Sequence, residues 1–348
     1  MEHTLVTVII PVHNTEKYIV DCIKSVLAQS HKNLEIIIIN DGSTDGSEHI
    51  CKQFTVDERV TFVNRENWGL SRTRQQGIDM ATGEFFCNLD SDDMLDSKFV
   101  EKMLDAAIKT NADIVACGRK DFDSGYEESF LLSANKNFYA LDKNRVSSEF
   151  DTIAAELWLS DSWNKLYRTD FVKNSNVKYW LNNKYNGTDL SFNHLLCLHC
   201  PQIAVVNEPL LLHRIVMGSR VHRKNKPLQE GFELITEREF TEARLLGYPD
   251  AFYERYKYSY YIFLKMAVNA IICESENTAE VRERWKKYRD MAVSFSVKYP
   301  VLAPDNLKNK QCKGFDRIIH KAIISPNVRG CIFAYRLNKL RNWKNKKR

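Results

Sequence analysis

The chain has 348 residues, of which 44% are hydrophobic and 27% charged, with a formal net charge of +5. That supplies enough apolar side chains for two packed domains of roughly 100–200 residues each, and it excludes a disordered or collagen-like chain. No apolar run approaches the roughly 18 residues that a membrane-spanning helix needs. Nine scattered cysteines, several inside apolar stretches (Cys22, Cys51, Cys87, Cys117), fit buried reduced thiols of a cytosolic protein rather than a disulfide framework. The charge is uneven: residues 306–348 hold 13 Lys or Arg and one acid, Asp316, and so carry +12, leaving −7 on the rest. An acidic body with a basic end argues against a nucleic-acid-binding face and for a tail that meets something anionic.

In chain order, the opening MEHTLVTVIIPV has no basic leader and reads as a strand, so no signal peptide is expected. Residues 5–12 and 34–39 are short apolar, β-branched runs of the kind buried on both faces of a parallel sheet. Between them Ile19, Cys22, Ile23, Val26 and Leu27 recur at helical spacing. Asp45 followed by Glu48 resembles a capping pair for a second helix. Strands are predicted at 60–63, 84–89 and 113–117. A helix follows Ser97, with Phe99, Val100, Met103, Leu104, Ala107 and Ile108 on one face. This alternation predicts an α/β fold with a doubly wound, mostly parallel sheet whose ligands lie at the carboxyl ends of the strands.

From 120 to 225 short strands and helices mix with polar loops such as 182–188. Within that stretch Cys197 and Cys200 form a lone CxxC, read as core packing because no second pair completes a zinc site. Beyond 226 the pattern is helical, with segments at 253–273 and 281–297. Two apolar stripes follow: Phe315, Ile318, Ile319, Ala322 and Ile323, and, past Pro326, Phe333, Leu337, Leu340 and Trp343. Two domains are expected, 1–225 and a helical 226–348.

Three segments can carry chemistry. In Asn88-Leu89-Asp90-Ser91-Asp92-Asp93, three carboxylates follow an apolar run and repel one another unless a cation lies among them. Hard oxygen donors at this density suit Mg²⁺ or Mn²⁺; acids decorating a helix N-terminus are the equally open alternative. Asp41, in Asn40-Asp41-Gly42-Ser43-Thr44-Asp45, faces a ligand or belongs to a plain turn. In segment 64–74, Arg72 and Arg74 are either bidentate phosphate clamps or solvated helix residues.

Taken together and in order, these segments make the first 120 residues resemble family-2 glycosyltransferases, whose nucleotide-sugar-binding fold is called GT-A. The matching stretches are VTVIIPVHN, the Asp41-Gly-Ser-Thr-Asp turn, Asn67-x-Gly69-Leu70-Ser71 with Arg74 and Gly77, ATGEF, and Asp90-x-Asp92. The likeness continues more weakly through Trp163-Asn164-Lys165-Leu166-Tyr167, Asp189 and Asn207-Glu208-Pro209-Leu210, about two thirds of the chain in all.

The resemblance implies an inverting, metal-dependent enzyme that moves a hexose or N-acetylhexosamine from a UDP-sugar to a hydroxyl of a glycan, in synthesis of a bacterial-type surface polysaccharide. It implies that the run Pro11, Val12, His13 and Asn14 holds the base, that Asp41 accepts a hydrogen bond from uracil, and that Asn67 and Arg74 complete the nucleoside and phosphate contacts. Asp90 would touch ribose or metal, Asp92 would be the main ligand of Mn²⁺ or Mg²⁺, and His222 would add a metal or phosphate contact beside a solvated-loop alternative. The catalytic base falls on Asp189 in Asn186-Gly187-Thr188-Asp189, against the alternative that it caps the following helix.

Three positions depart from the family pattern: Asn40 for a first aspartate, Gln75 for an asparagine after the arginine, and Thr188 for the glutamate before the base. The last bears most on acceptor class. Lys165 is a phosphate or acceptor contact, or else a surface lysine on a structural turn. His213 and Arg214 fall in a segment resembling a mobile loop after the last strand. A nucleotidyltransferase is the rival from another enzyme class, opposed by the absence of a glycine-rich, basic phosphate loop after the first strand. A catalytically weak glycan-binding pseudo-enzyme is the other, kept open by Thr188. The basic tail is expected to lie on an anionic membrane surface at the inner face, apolar side down, near a lipid-linked acceptor.

Overall fold

The computed structural model describes residues 3–123, 125–179, 187–216, 228–253, 264, 267, 268, 271–273, 275–298 and 328–345. The chain divides into two compact units, one of residues 1–183 and 187–219, the other of residues 184–186 and 220–348.

The first unit is built on a ten-stranded sheet. Its elements in chain order are β1 (Val6–Val12), α1 (Ile19–Leu27), β2 (Leu34–Asp41), α2 (Ser47–Gln53), β3 (Val60–Arg65), α3 (Leu70–Met80), β4 (Phe85–Asn88), β5 (Met94–Leu95) and α4 (Phe99–Thr110). There follow β6 (Ile114–Asp123), β7 (Tyr126–Phe130), β8 (Phe138–Ala140), α5 (Lys143–Glu156), β9 (Lys165–Arg168), α6 (Thr169–Ser175), α7 (Thr188–Leu198) and β10 (Gln202–Arg214). The strand order is β3-β2-β1-β4-β9-β6-β10-β5, with β7 on β6 and β8 on β10. Pairing is parallel from β3 to β4 and again between β6 and β10, while β9 and β5 run the other way. Six of the eight strands on this path therefore share one direction, as the sequence pattern predicts.

Both faces of the central strands are covered, which is why they lack polar alternation. Val6, Val8, Ile10 and Val12 of β1 pack with Ile19, Cys22, Ile23 and Val26 of α1 in one core cluster. Each such side chain, fully withdrawn from water, contributes about 1.5–3 kcal/mol. On the opposite face α3 approaches so closely that a Cβ on Gly77 would lie 2.3 Å from the Ile9 side chain, so only glycine permits this packing. β6 runs six residues past Cys117 because β7 and β10 continue to pair with it. The register sets Asp41 opposite Arg65 and Leu212 opposite Met94. The ends of β1, β2, β4 and β10 thus gather at one edge of the sheet.

In the second unit the described helices are α8 (Leu228–Leu245), Thr278–Lys298 and Arg329–Asn345. Val281, Trp285, Tyr288 and Ala292 form a buried stripe on Thr278–Lys298, and the last helix packs on that helix. Its buried residues are Cys331, Ala334 and Tyr335, and the Tyr335 hydroxyl donates to the Glu276 carbonyl at 2.7 Å. Phe333 remains 56% exposed. No described helix is long and apolar enough to cross a membrane.

Several expectations change. Asp45 and Glu48 do not form a capping pair: α2 begins at Ser47 behind Gly46, Asp45 accepts from the backbone N–H of Ser47 and Glu16, and Glu48 pairs with Lys52. His213 and Arg214 are the last residues of β10, not part of a loop, because they continue the register with Asp121 and Phe122. Lys165 is neither a surface residue nor free to reach a ligand, since it is fully buried. The eight described cysteines are free thiols, with Cys197 buried. His222, most of 182–188, the stripe from Phe315 to Ile323, much of 253–273, and the side chains of Leu340 and Trp343 lie outside the described residues.

Candidate active site

The loops at the carboxyl edge are sewn together by their own polar side chains. Pro11 and Val12 are buried in β1, leaving His13 and Asn14 exposed at its end. His13 Nδ1–H donates to the Asp41 carbonyl at 2.9 Å, and Asn14 accepts from the Thr44 N–H at 2.7 Å. Asn14 adopts φ +54, a left-handed conformation that asparagine tolerates better than most residues. The Asp41 carboxylate, 3% exposed as a residue, accepts from the N–H groups of Trp68 (2.8 Å) and Gly69 (2.7 Å) and pairs with Arg65 at 3.0 Å. It therefore shapes the turn that carries Asn67, whose amide lies 3.4 Å from His13 Nε2. Gly42, at φ +67, makes the close approach possible, because a Cβ there would stand 2.6 Å from the Asn67 nitrogen. Asn40 is absorbed by the same turn, donating to Asn64 and accepting from Ser43.

The acidic loop 90–93 is pinned to the end of β10. Arg214 donates its backbone N–H to Asp93 (2.8 Å) and its Nε to the Asp92 carbonyl (3.1 Å), while its guanidinium stacks over Tyr18 and Phe122. Burial, then the neighbouring charge of Asp90, pushes the Asp92 carboxyl above its ordinary value; burial and the charges of Asp92 and Asp90 push Asp93 well up. This is a half-buried set of oxygen donors with more negative charge than its surroundings neutralise, and that donor chemistry fits Mg²⁺ or Mn²⁺. Among the described residues no three His, Cys, Asp or Glu side chains close a cation site by themselves. One or two carboxylates completed by water and phosphate oxygens is the usual arrangement for such ions.

Arg74 connects this loop to the other half of the site. It projects from α3, is 1% exposed, and forks: Nη1 donates to Asp189 and Nη2 to Asp90, each at 2.5 Å. Burial opposes its charge, but Asp189 and Asp90 hold the proton and push its pKa further up. With both ends engaged, Arg74 bridges two carboxylates and is buried, not the solvated helix residue that was one of the two sequence readings. Tyr179 lies under the guanidinium at 5.9 Å and stacks on Phe192 of α7 at 4.2 Å. Gln75 accepts from the Tyr179 N–H at 2.9 Å, which gives this departure from the family pattern a structural role.

Asp189 sits in the first turn of α7 without capping it: Gly187, at φ +89, holds the N-cap position, and the Asp189 carboxylate turns to Arg74. Its side chain keeps 21% of its surface exposed. Burial raises its carboxyl above the ordinary value, with Arg74 and Ser162 pulling down and Asp90 pushing up.

Beside it, Lys165 fixes the loop 158–164 from within. Its ammonium donates to the Trp158 and Asp161 carbonyls (2.9 and 2.6 Å) and to Asn164 (2.8 Å), and burial lowers its pKa to about 8. Of the expected residues, Asp41, Asn67 and Asn14 share one loop cluster, and Arg74, Asp90 and Asp189 another. The sequence reading missed Tyr179, Ser162 and the anchoring role of Arg214. His13 stands within the PVHN motif and was legible; Tyr179 and Ser162 have no local signal, because their relation to Asp189 exists only in the folded chain.

The sequence profile described as glycosyl transferase family 2 matches residues 7–169. The glycosyltransferase GlyA of Streptococcus pneumoniae is 30% identical over 219 residues, 62% of this chain, which spans about a third (31%) of that relative's length. The putative glycosyltransferase EpsH of Bacillus subtilis is 29% identical over 304 residues, covering 84% of this chain and 83% of that one. In fold, the chain is similar to residues 1–349 of S. aureus TarS, solved in complex with UDP-GlcNAc, with TM-score 0.63 at 16% identity over 96% of this chain and 89% of that one.

Proposed function

We propose that the chain, whose residues 7–169 match glycosyl transferase family 2, transfers a hexose or N-acetylhexosamine from a UDP-sugar to a hydroxyl of a glycan acceptor. One observation carries the reading: a single buried guanidinium, Arg74, holds a carboxylate of the acidic loop, Asp90, and the partly exposed carboxylate of Asp189. The GT-A-type sheet supports a donor at its carboxyl edge, and UDP is taken from the TarS likeness and from the sequence motifs.

In this reading His13, Asn14 and Asn67 flank the base. The Asp41 carboxylate accepts from the Trp68 and Gly69 N–H groups and pairs with Arg65, and because a carboxylate offers about four acceptor positions, capacity remains for an N–H of uracil. Asp92, with Asp90, would hold a divalent cation, which supplies neutralisation of the charge on the departing diphosphate. Asp189 takes the proton from the acceptor hydroxyl as the new bond forms. Direct attack of that hydroxyl opposite the leaving diphosphate inverts the anomeric centre. Arg74 offsets the charge of both carboxylates, each partly withdrawn from water, where a charge counts for more.

The acceptor is proposed to be lipid-linked glycan in polysaccharide synthesis, met from the cytoplasmic side, with the +12 tail on anionic headgroups. A panel of UDP- and GDP-sugars with Mn²⁺, with and without crude lipid-linked acceptors, tests the proposal by released nucleotide. Cleavage of a UDP-sugar that accelerates with acceptor supports it; indifference to every nucleotide sugar rejects it.

A further inference from the structure

We infer that Trp163, Trp158 and His213 form the platform on which an uncharged acceptor pyranose stacks, an inference that rests on the glycosyl-transfer reading above. The rings converge from separate elements. Trp163 lies stacked on His213 at the end of β10, with centroids 5.7 Å and planes 7° apart. The Arg119 guanidinium of β6 lies 5.3 Å from the Trp158 ring, 5.7 Å from that of Trp163 and 5.2 Å from Phe130. Trp158, Trp163 and His213 are all half-buried, so each keeps exposed surface.

The loop that presents the indoles is held rigidly. The buried Lys165 ammonium gathers the carbonyls of Trp158 and Asp161, Asn193 donates to the carbonyls of Leu159 and Asp161, and Asn164 donates to the Cys117 carbonyl on β6. Trp158 itself sits at φ +47, costly for so bulky a residue and sustained by these bonds. A surface loop with no ligand has little use for a strained tryptophan and a buried ammonium beneath it.

Position points to the acceptor. Asn193, one turn along α7 from Asp189, donates to the Leu159 and Asp161 carbonyls of the loop that presents the indoles, and Arg214, next to His213, donates to Asp93 and to the Asp92 carbonyl. The platform therefore reaches from the base to the acidic loop, the interval across which the sugar moves. A pyranose ring offers a face of C–H groups to the electron-rich face of an aromatic ring. Charge selects among sugars: Asp121 takes the Arg119 Nε at 2.7 Å and stands 3.0 Å from His213 Nδ1, so the guanidinium and the imidazole both face a carboxylate already. A neutral hexose or N-acetylhexosamine fits better than a uronic acid or a phosphorylated sugar.

Two measurements test this. With ¹⁵N-tryptophan protein, the indole signals of Trp158 and Trp163, assigned through Trp158→Phe and Trp163→Phe, shift on titration with methyl β-D-glucopyranoside or its N-acetylglucosamine counterpart. Unmoved Trp158 and Trp163 signals overturn the platform whether or not the protein transfers sugar. In steady state, Trp163→Ala raises the acceptor KM by about 10-fold, the equivalent of one stacked-ring contact, Trp163→Phe restores most of it, and the donor KM stays near its original value. Acceptor and donor KM rising together would make the stack a structural support and overturn the inference. A wild-type protein that cleaves no nucleotide sugar rejects the glycosyl-transfer reading instead, and is told apart by that control.

Discussion

Arg74 Nη1 donates to Asp189 at 2.5 Å across 115 residues of sequence, and its other end holds Asp90 at the same distance. One residue of α3 thus sets the distance between the acidic loop and α7. Arg74→Gln leaves two partly buried carboxylates side by side without their cation. It is expected to lower unfolding free energy by about 3–5 kcal/mol, the usual cost of stripping one partner from a buried ion pair, and to abolish transfer. Arg74→Lys, a point charge without a fork, should recover stability in part and little activity. A urea titration showing Arg74→Gln as stable as the parent would remove the bridge from the account.

Asp92 carries the opposite expectation. Its carboxyl is raised by burial and by Asp90, so the ionised form is disfavoured in the fold. Without added metal, Asp92→Asn should melt at the same temperature or higher, because it relieves repulsion. The same variant should lose most turnover and the Mn²⁺ dependence of UDP affinity. Full turnover in EDTA would contradict the metal reading.

Lys165 gives a pH-dependent prediction. Burial lowers its pKa from 10.5 to about 8, so between those values the unfolded chain binds a proton that the folded chain does not. From this group stability therefore rises with pH over that window, and below it the cost of burying the charge is constant. Lys165→Met should be destabilised near neutrality, by about 1–3 kcal/mol for each acceptor left without a donor. The gap between parent and variant should widen from pH 8 toward 10.5. A gap that narrows with pH would show the ammonium is not buried as described.

The basic tail cannot be tested by deleting residues 328–348, because Cys331, Ala334 and Tyr335 of that segment are buried. Replacing Lys346, Lys347 and Arg348 with Gln leaves those residues in place. Flotation with vesicles rich in phosphatidylserine should weaken by about 1 kcal/mol per lysine or arginine removed and fade with added salt. Binding that ignores both changes would assign the tail no membrane role.

The parallel half of the sheet was legible because Val6–Val12 and Leu34–Asp41 are apolar throughout, and the helices α1 and α4 because their apolar residues keep one face. Asp41 closes β2 and Asp90 and Asp92 follow β4, strands that share one direction, whereas Asp189, on α7, was legible only through the family resemblance. What stayed hidden depends on contacts between distant segments. Lys165 looks like a surface lysine until Trp158, Asp161 and Asn164 close around it. The burial of Arg74 between Asp90 and Asp189 has no signal in its own segment. β10 was misread at its end because His213 and Arg214 are polar, yet they extend the strand by pairing with Asp121 and Phe122.

The most direct test of the account is the pH profile and rate of sugar transfer by Asp189→Asn beside the parent. Asparagine keeps an oxygen for Arg74 and so spares the fold, but it cannot take a hydroxyl proton. Near-normal UDP-sugar binding is expected, with transfer lower by at least about 10²-fold. Because burial raises the Asp189 carboxyl, the parent should lose activity on the acid side starting above the ordinary carboxylate range, and the residual rate of the variant should lack that limb. Transfer by Asp189→Asn near the parent rate, with the same acid limb, would contradict the assignment of Asp189 as the base.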